Sequence, residues 1–323
     1  MPYIIILGLG QNKKYMDINK QLQLIANRMD IYLKKTENIG LMEGKMGVAL
    51  FYYEYARYTG NTVYNEQADN LLDEVFDQIG KIQINDIEQG LSGIGWGINY
   101  LSVQGFVEIA NDALIDIESK IFSGSSVGFG SDFSMLSPAV YLLSKPQNKR
   151  ILTIYNNQVK DLLNTCRYYC LNIYDYKRKP LDLLNSMLYF LLNLKEEKIY
   201  MVETEKLIWK ILIELLDCVK FEDEEHGDIV ILLNLLNKIG SSPLKEKVVE
   251  MVGFSFNKNR KWSIESYKKV LWQQILFSQG GCHVVVDIDI NGLLYQITDM
   301  PEKRQEISIP LGLYLMNKGN ETL

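Results

Sequence analysis

Hydrophobic residues recur at helical spacing along most of the chain and predict two kinds of helix. In the first kind, apolar residues line one face and charged residues cover the other; residues 66–79 are the clearest case. In the second kind, apolar residues cover almost every face, as in residues 181–194 and 229–239. A helix of the second kind has to be enclosed by other helices to bury its whole surface.

The two kinds of helix alternate at a spacing of roughly 35–50 residues, which is typical of stacked helical hairpins. Further one-sided helices are predicted at residues 17–35, 108–121, 158–174, 203–220, 244–252 and 263–278. No segment between helices is long enough, or rich enough in Pro, Gly and Ser, to separate domains. We therefore predict one all-α domain spanning residues 1–323, with the helices in a continuous and closed array.

The C-terminal part of the chain leaves two interpretations open. Residues 283–298 alternate apolar and acidic positions and contain an Asn-Gly dipeptide, which favours a β-hairpin. In a helical array the same dipeptide could begin a helix at Leu293. A last helix is predicted at residues 309–317, with Pro310 in its first turn.

Two Gly-x-x-Gly motifs precede helices of the second kind. They are Gly44/Gly47 and Gly90/Gly93, and they lie about 46 residues apart, so each predicts the start of an equivalent helix. Glycine at such a position lets neighbouring backbones approach closely, and the exposed N–H groups can bind an anion or a peptide carbonyl. We favour close packing for all four glycines and keep ligand binding as the alternative.

Composition excludes some functions and indicates a compartment. The net charge is −6 and no basic stripe is visible, so a nucleic-acid partner is not expected. No apolar run approaches the roughly 18 residues of a membrane span, and residues 3–8 lack the basic flank of a signal peptide. Four cysteines in a chain of 323 residues do not make a disulfide framework. These features predict a cytoplasmic protein with reduced thiols.

Three stretches resemble a known family. Residues 40–61 (GLMEGKMGVALFYYEYARYTGN), 64–79 (YNEQADNLLDEVFDQI) and 89–108 (QGLSGIGWGINYLSVQGFVE) resemble two inner helices, and the outer helix between them, of the lanthionine synthetase C-like (lantibiotic cyclase) proteins. The likeness is to a divergent bacterial subgroup found beside genes for modified peptides. It implies an α/α toroid of six or seven helical hairpins. The inner helices, led by Gly-x-x-Gly in the first two repeats, would line a central cavity.

The resemblance also implies a reaction and a metal. In active members a zinc ion held by two cysteines and a histidine activates a peptide cysteine thiolate, which adds to dehydroalanine or dehydrobutyrine and forms a thioether ring. Cys282 and His283 match the family's Cys-His dipeptide, although Val284 replaces the glycine that follows it. The Trp-Cys-x-Gly motif that supplies the other cysteine is absent from this sequence. A third zinc ligand would have to come from Cys166 or Cys170.

This departure favours a degenerate member of the family over an active zinc cyclase. Such a member would bind a peptide or a partner modification enzyme in its cavity. His226 and His283 are candidates for a catalytic acid. An acidic run precedes His226 and would raise the pKa of its imidazole, and a solvated helix cap is the simpler interpretation. Cys166 and Cys170 are more simply interpreted as small buried hydrophobic residues.

A function of another class depends on two carboxylates. A glycan-binding or glycan-cleaving protein on an (α/α) barrel would need two cavity carboxylates, as acid and as base or nucleophile. Glu43 and Glu88 are the acidic residues that recur at the starts of the two glycine-led helices. Four nearby tyrosines are interpreted as core residues, with the rim of a cavity as the alternative: Tyr52, Tyr53, Tyr55 and Tyr58.

Overall fold

The computed structural model describes most of the chain, and this part is helical. It describes residues 17–109, 114–123, 136–145, 155–171, 181–217, 219, 226–256, 262–277, 293 and 304–321. No strand occurs within these ranges, which confirms the all-α prediction for this part of the chain. The helices are α1 (Ile18–Leu33), α2 (Lys45–Thr59), α3 (Val63–Ile79), α4 (Leu91–Val103), α5 (Ile115–Ser123), α6 (Ser137–Ser144), α7 (Asn156–Leu171), α8 (Leu181–Glu196), α9 (Met201–Asp217), α10 (His226–Lys238), α11 (Pro243–Phe256), α12 (Ile264–Phe277) and α13 (Arg304–Glu321).

Glycines mark the bounds of the two helices that the repeat predicts. Helix α4 begins at Leu91 and ends at Val103, with Gly90 in an extended conformation at its N-cap. Helix α2 ends at Thr59. Gly60 follows it in the left-handed region, with φ of 71°, where glycine is favoured because it has no side chain.

Two predicted bounds are wrong. Residues 107–109 are not helical, and the helix predicted there begins at Ile115. The last helix begins at Arg304, earlier than predicted, so Pro310 lies inside it and not in its first turn. Proline inside a helix removes a backbone donor. Because α13 packs against α1, α2 and α12, tertiary contacts offset that loss.

Burial divides the helices into the two predicted kinds. Helices α2, α4, α6, α8, α10 and α12 are buried on almost every face. Trp96, Tyr141 and Phe190, from three of these helices, are fully buried. Helices α1, α3, α7 and α9 bury one stripe of residues. Residues 307–313 of α13 are also all buried. We name α2, α4, α6, α8, α10, α12 and α13 the enclosed helices.

Each enclosed helix contacts the next enclosed helix along the chain. The contacts run from α2 to α4, α6, α8, α10, α12 and α13 in turn, and α13 contacts α2 again. Helix α6 also contacts α12. Most of the remaining helices pack against this group: α3 against α2, α5 against α4, α9 against α8, α11 against α10 and α1 against α13, whereas α7 packs against α9. Sequence neighbours among the enclosed helices are therefore neighbours in space.

The loop before α2 and the loop before α4 each contain a backbone hydrogen bond at the equivalent position. The N–H of Lys45 donates to the carbonyl oxygen of Asn38 at 2.9 Å, and the N–H of Leu91 donates to that of Ile84, also at 2.9 Å. The interval from Lys45 to Leu91 equals the interval from Asn38 to Ile84, and it is also the interval between the two glycine pairs. Equivalent sequence positions therefore adopt equivalent local structure in the two loops.

Close backbone packing accounts for the glycine at the second position of each pair. A Cβ atom on Gly47 would collide with the carbonyl oxygen of Leu41. A Cβ atom on Gly93 would collide with the carbonyl oxygen of Ile87 in the same way. The N-cap glycines of α2 and α4 are equally confined by the backbone of their own loops. Each loop thus lies directly against the first turn of the helix that follows it.

Tyrosines of α2 join this helix to its one-sided neighbours. The hydroxyl of Tyr52 donates to Asp30 of α1 at 2.6 Å, and the hydroxyl of Tyr53 donates to Asp69 of α3. Both tyrosines are buried while their hydroxyls find polar partners, which is how tyrosine is accommodated in a core. The geometry favours the core interpretation of these residues over a cavity rim.

A carboxylate joins α5, α6 and the start of α7. Glu118 accepts hydrogen bonds from Tyr141 at 2.8 Å and Tyr155 at 2.7 Å, and it forms an ion pair with Lys145. Partial burial alone would raise the pKa of Glu118. The hydrogen bonds from the lysine and the two tyrosines outweigh burial and lower the pKa. The ionised form of Glu118 therefore stabilises this junction.

We expect Gly93→Ala to destabilise the fold by about 1–3 kcal/mol, because the loop that carries Ile87 has to move away from the new methyl group. Gly253 of α11 is the matched control, since nothing lies within 4 Å of a Cβ atom built there. Alanine at Gly253 should stabilise its helix by up to about 1 kcal/mol. Urea unfolding measures both changes, and equal free energies of unfolding for the two variants would contradict close packing at Gly93.

Candidate functional site

Charged side chains gather at the N-terminal ends of α8, α10 and α12 and in the loops before α2 and α4. These side chains are named the charged cluster, and carboxylates outnumber ammonium groups among them. The members are Glu43, Asp86, Glu88, Asp182, Asp228, Glu265, Lys268 and Lys269. Because the members come from separate segments of the chain, the fold alone brings them together.

Lys269 joins the starts of three enclosed helices. Its Nζ atom lies 2.6 Å from Oδ2 of Asp228 on α10 and 3.7 Å from Oδ2 of Asp182 on α8. The side chain of Asp228 is only 4% exposed. A carboxylate buried to this extent needs a cation or hydrogen bonds in place of water. Lys269 supplies a cation to Asp228 from the first turns of α12.

Lys268, the residue before Lys269, reaches the opposite side of the cluster. It forms an ion pair with Glu43 in the loop before α2. The hydroxyl of Tyr32 on α1 donates to the backbone carbonyl oxygen of Glu43. This contact helps to fix the loop that carries the carboxylate. Two consecutive lysines of α12 therefore connect both halves of the charged cluster.

Glu88 has a raised pKa. Although its side chain meets solvent, partial desolvation is the largest cause of the shift. The carboxylates of Asp86, Glu43 and Glu265 raise the pKa further, because like charges disfavour ionisation. The ammonium group of Lys268 opposes them. The cluster thus combines one carboxylate in an ion pair with another that holds its proton more tightly.

Two carboxamides lie next to these charges. Nδ2 of Asn185 on α8 donates to the backbone carbonyl oxygen of Asp228 at 2.9 Å. Gln273 comes one helical turn after Lys269 on α12. Both carboxamides are buried. Oδ1 of Asn185, and both polar atoms of Gln273, have no hydrogen-bond partner among the described residues.

His226 lies two residues before Asp228, as the first residue of α10. Its imidazole is buried, and its ring meets that of Trp262 edge-on, with centroids 4.8 Å apart. The interpretation of His226 as a solvated cap is therefore wrong. Trp262 covers the ring, and no local pattern in the sequence indicates that contact. The imidazole stands at the edge of the charged cluster.

The structure describes two of the four predicted metal ligands, Cys166 and Cys170. Cys166 and Cys170 are buried thiols of α7, and burial raises the pKa of Cys166, which disfavours the thiolate that zinc requires. Cys282 and His283 lie outside the described residues, as do residues 283–298 apart from the buried Leu293. Among the described residues, no three His, Cys, Asp or Glu side chains are placed to hold a metal ion.

A concave surface is lined by residues that do not belong to the charged cluster. It encloses about 640 Å³ beside α7 and the start of α9. Its lining is formed by Arg167, Tyr200, Met201, Val202, Glu203, Lys206 and Leu207. It contains one aromatic ring and no histidine or cysteine, so it offers little chemistry. The charged cluster is the stronger candidate site.

The sequence indicated only part of this site. Glu43 and Glu88 were predicted as carboxylates at helix starts, and both belong to the cluster. Lys269, Asn185 and Gln273 were missed. A usable signal existed for the amides, because a polar residue stands out inside a helix that is otherwise apolar on every face. The ion pair of Lys269 depends on which helices are neighbours, and the local sequence does not contain that information.

Comparison with protein-family models, with curated proteins and with solved structures gave no match. The site is therefore interpreted from its own residues. In the part of the chain that the structure describes, no helix is both long enough and apolar enough to cross a membrane.

Glu88→Gln and Glu118→Gln should shift stability in opposite directions at neutral pH. Because the pKa of Glu88 is raised in the folded protein, its protonated form stabilises the fold below the unfolded pKa of about 4.3, and this stabilisation is lost as pH rises through the folded pKa. At neutral pH the charge on Glu88 is therefore unfavourable, and Glu88→Gln should stabilise the fold. Because the pKa of Glu118 is lowered in the folded protein, its ionised form stabilises the fold above the unfolded pKa of about 4.3, and this stabilisation is lost as pH falls through the folded pKa. Glu118→Gln should therefore lower the free energy of unfolding by about 1–3 kcal/mol at neutral pH.

Urea unfolding at neutral pH and at about pH 4 tests this pair of carboxylates, because the charge-dependent part of both effects should shrink at the lower pH. The two variants remove the same charge from different places, so each serves as the control for the other. Changes of the same sign at neutral pH would contradict the opposite pKa shifts.

Proposed function

We propose that residues 1–323 form an α/α toroid of the lanthionine synthetase C-like type, which binds a peptide segment at the charged cluster. The observation that carries this proposal is the sequence of contacts between enclosed helices, in which each helix contacts the next and α13, the last, contacts α2, the first. In such a toroid the enclosed helices are the inner ring and the one-sided helices the outer ring. The helices that follow the two Gly-x-x-Gly motifs are the first two of the inner ring.

The end of the inner ring is the place for binding. The sides of the enclosed helices are apolar and buried, whereas the charged cluster stands at their N-terminal ends. Lys269 and Glu43 of this cluster are partly exposed. A ligand that approaches along the axis of the ring therefore meets charged groups first. Because carboxylates are in excess there, the ligand they attract carries positive charge.

A peptide, or a segment of a partner modification enzyme, fits this description. Lysine and arginine side chains pair with exposed carboxylates such as Glu43, and the polar main chain pairs with amides and backbone groups. We assign the protein to the cytoplasm, where its buried thiols stay reduced. Its role is to hold the peptide in place for modification.

A binding role is favoured over zinc-dependent cyclisation. Zinc would supply an activated thiolate for addition to a dehydroamino acid. The described thiol Cys166 does not fit the need, because burial raises its pKa. No step of the proposed function passes through a metal. Stoichiometric zinc in the purified protein, lost in Cys282→Ala and in His283→Ala, would favour an active cyclase instead.

A short fluorescein-labelled peptide of alanine, serine and lysine should bind the protein more tightly than the same peptide with glutamate in place of lysine. The expected difference is about tenfold or more at low salt, and it should decrease as salt screens the charges. Fluorescence anisotropy measures both affinities.

Glu43→Gln should weaken binding of the lysine peptide, because it removes a charge from the cluster. Glu66→Gln, on the one-sided helix α3, makes the same change in net charge elsewhere and should leave the affinity unchanged. Equal weakening by the two variants would show that only the overall charge matters. The absence of binding to the unaltered protein would overturn the proposed function.

Glycan cleavage is a second candidate, because the cluster holds two neighbouring carboxylates in different states. Glu43 is in an ion pair with Lys268, whereas the pKa of Glu88 is raised. Glycosidases use two neighbouring carboxylates, of which one holds its proton more tightly than the other. Hydrolysis of a panel of p-nitrophenyl glycosides tests this function. Glu43→Gln and Glu88→Gln should each reduce any activity by about a hundredfold or more, and Glu66→Gln should not.

A further inference from the structure

Two buried carboxamides lie on the inner side of the charged cluster. Asn185 of α8 is fully buried, and Gln273 of α12 is 1% exposed. Oδ1 of Asn185, and both Oε1 and Nε2 of Gln273, lack hydrogen-bond partners within the described part of the chain. A buried polar group without a partner costs about 1–3 kcal/mol. Such groups are rare in native folds and call for a physical explanation.

Helix geometry places Gln273 between two contacts with α8. Lys269, Gln273 and Phe277 follow one another at one-turn intervals and share one face of α12. Nζ of Lys269 lies 3.7 Å from Oδ2 of Asp182, and the ring of Phe277 stacks on that of Tyr189 with centroids 3.6 Å apart. Both partners belong to α8. The carboxamide of Gln273 therefore faces α8 between these two contacts.

Asn185 approaches the same place from α8. It comes one turn after Asp182, and its Nδ2 atom donates to the backbone carbonyl oxygen of Asp228. That hydrogen bond holds the amide against the first turn of α10, where Lys269 binds Asp228 at 2.6 Å. Asn185 and Gln273 therefore each lie one helical turn further along their helices than the contact between Asp182 and Lys269.

We infer that Asn185 and Gln273 form a subsite that binds the main chain of a peptide. This inference rests on the proposed function and specifies how the peptide is held. The carboxamide of Gln273 presents an N–H donor and a C=O acceptor side by side, which match the C=O and N–H of one peptide unit. Oδ1 of Asn185 accepts the N–H of a neighbouring unit.

The position of Lys269 determines access to this subsite. Its side chain is 25% exposed, and it lies one helical turn closer to the start of α12 than the buried Gln273. A peptide that enters has to displace Lys269 from Asp182 and Asp228. A cationic group of the peptide can replace the lysine ammonium on these carboxylates, so that Asp228 does not lose its counter-ion. The positive charge of the peptide therefore determines whether it enters the subsite. Hydrogen bonds from its main chain to Asn185 and Gln273 hold it once it is bound.

Gln273→Met tests the subsite, because methionine keeps the length of the side chain and removes both polar atoms. The lysine-containing peptide should bind this variant at least about tenfold more weakly than it binds the unaltered protein. The midpoint of urea unfolding should stay the same or rise, because the variant no longer buries unpaired polar atoms.

Gln67→Met is the matched control. Oε1 of Gln67, on the one-sided helix α3, is also unpaired among the described residues. The same substitution there should leave peptide affinity unchanged. A second test uses the unaltered protein and the same peptide methylated on its backbone nitrogens, which should bind at least about tenfold more weakly than the parent peptide. This test does not depend on the folding of any variant.

The outcomes separate the subsite from the proposed function. If Glu43→Gln weakens binding while Gln273→Met and backbone methylation do not, the charged cluster binds the peptide and the main-chain subsite is wrong. If Gln273→Met unfolds at lower urea concentration with unchanged affinity, the amide is a structural group, and the inference is overturned. If no peptide binds the unaltered protein, both proposals fail together.

Discussion

Enclosure of whole helices is the constraint on which the rest of this structure depends. A helix buried on every face carries a charge along its sides only where that charge has a partner, as Glu54 of α2 has in the hydroxyl of Tyr100, because an unpartnered buried charge is costly. Its first turn still has free N–H groups, which favour negative charge. Carboxylates such as Asp182 and Asp228 therefore collect at the starts of enclosed helices. Several such starts lie close together, and the result is the charged cluster.

Close backbone packing is what makes enclosure possible at α2 and α4. The carbonyl oxygens of Leu41 and Ile87 lie where a side chain on Gly47 or Gly93 would stand. Each loop can therefore fold directly onto its own helix. This packing also holds Glu43 and Glu88, which belong to the same loops, at the edge of the cluster. The glycines therefore contribute to the site by positioning carboxylates.

Local pattern was sufficient for the all-α class and for the difference between enclosed and one-sided helices, because both follow from hydrophobic spacing. It failed where distant contacts decide. Helix α13 continues through Pro310 because three other helices pack on it. His226 is buried because Trp262 covers it. The link from Lys269 to Asp228 joins segments far apart in sequence, and it becomes visible only once α10 and α12 are known to be neighbours.

The buried amides of Asn185 and Gln273 are among the features that the constraint of enclosure does not explain; Oδ1 of Asn193 on α8 also has no partner among the described residues. An apolar residue in place of Gln273 would satisfy the same packing without unpaired atoms, and it would cost less free energy. Carboxylates at helix starts have a structural explanation in the helix dipole, so their presence alone says little about function. The amides have no such explanation. Gln273 comes one helical turn after Lys269, the cation that joins α8, α10 and α12, and Asn185 binds the backbone of Asp228, which pairs with that lysine. Unpaired amides near the N-terminal ends of the enclosed helices, where charge is already concentrated, are the reason that we propose a binding site there and not only a well-capped core.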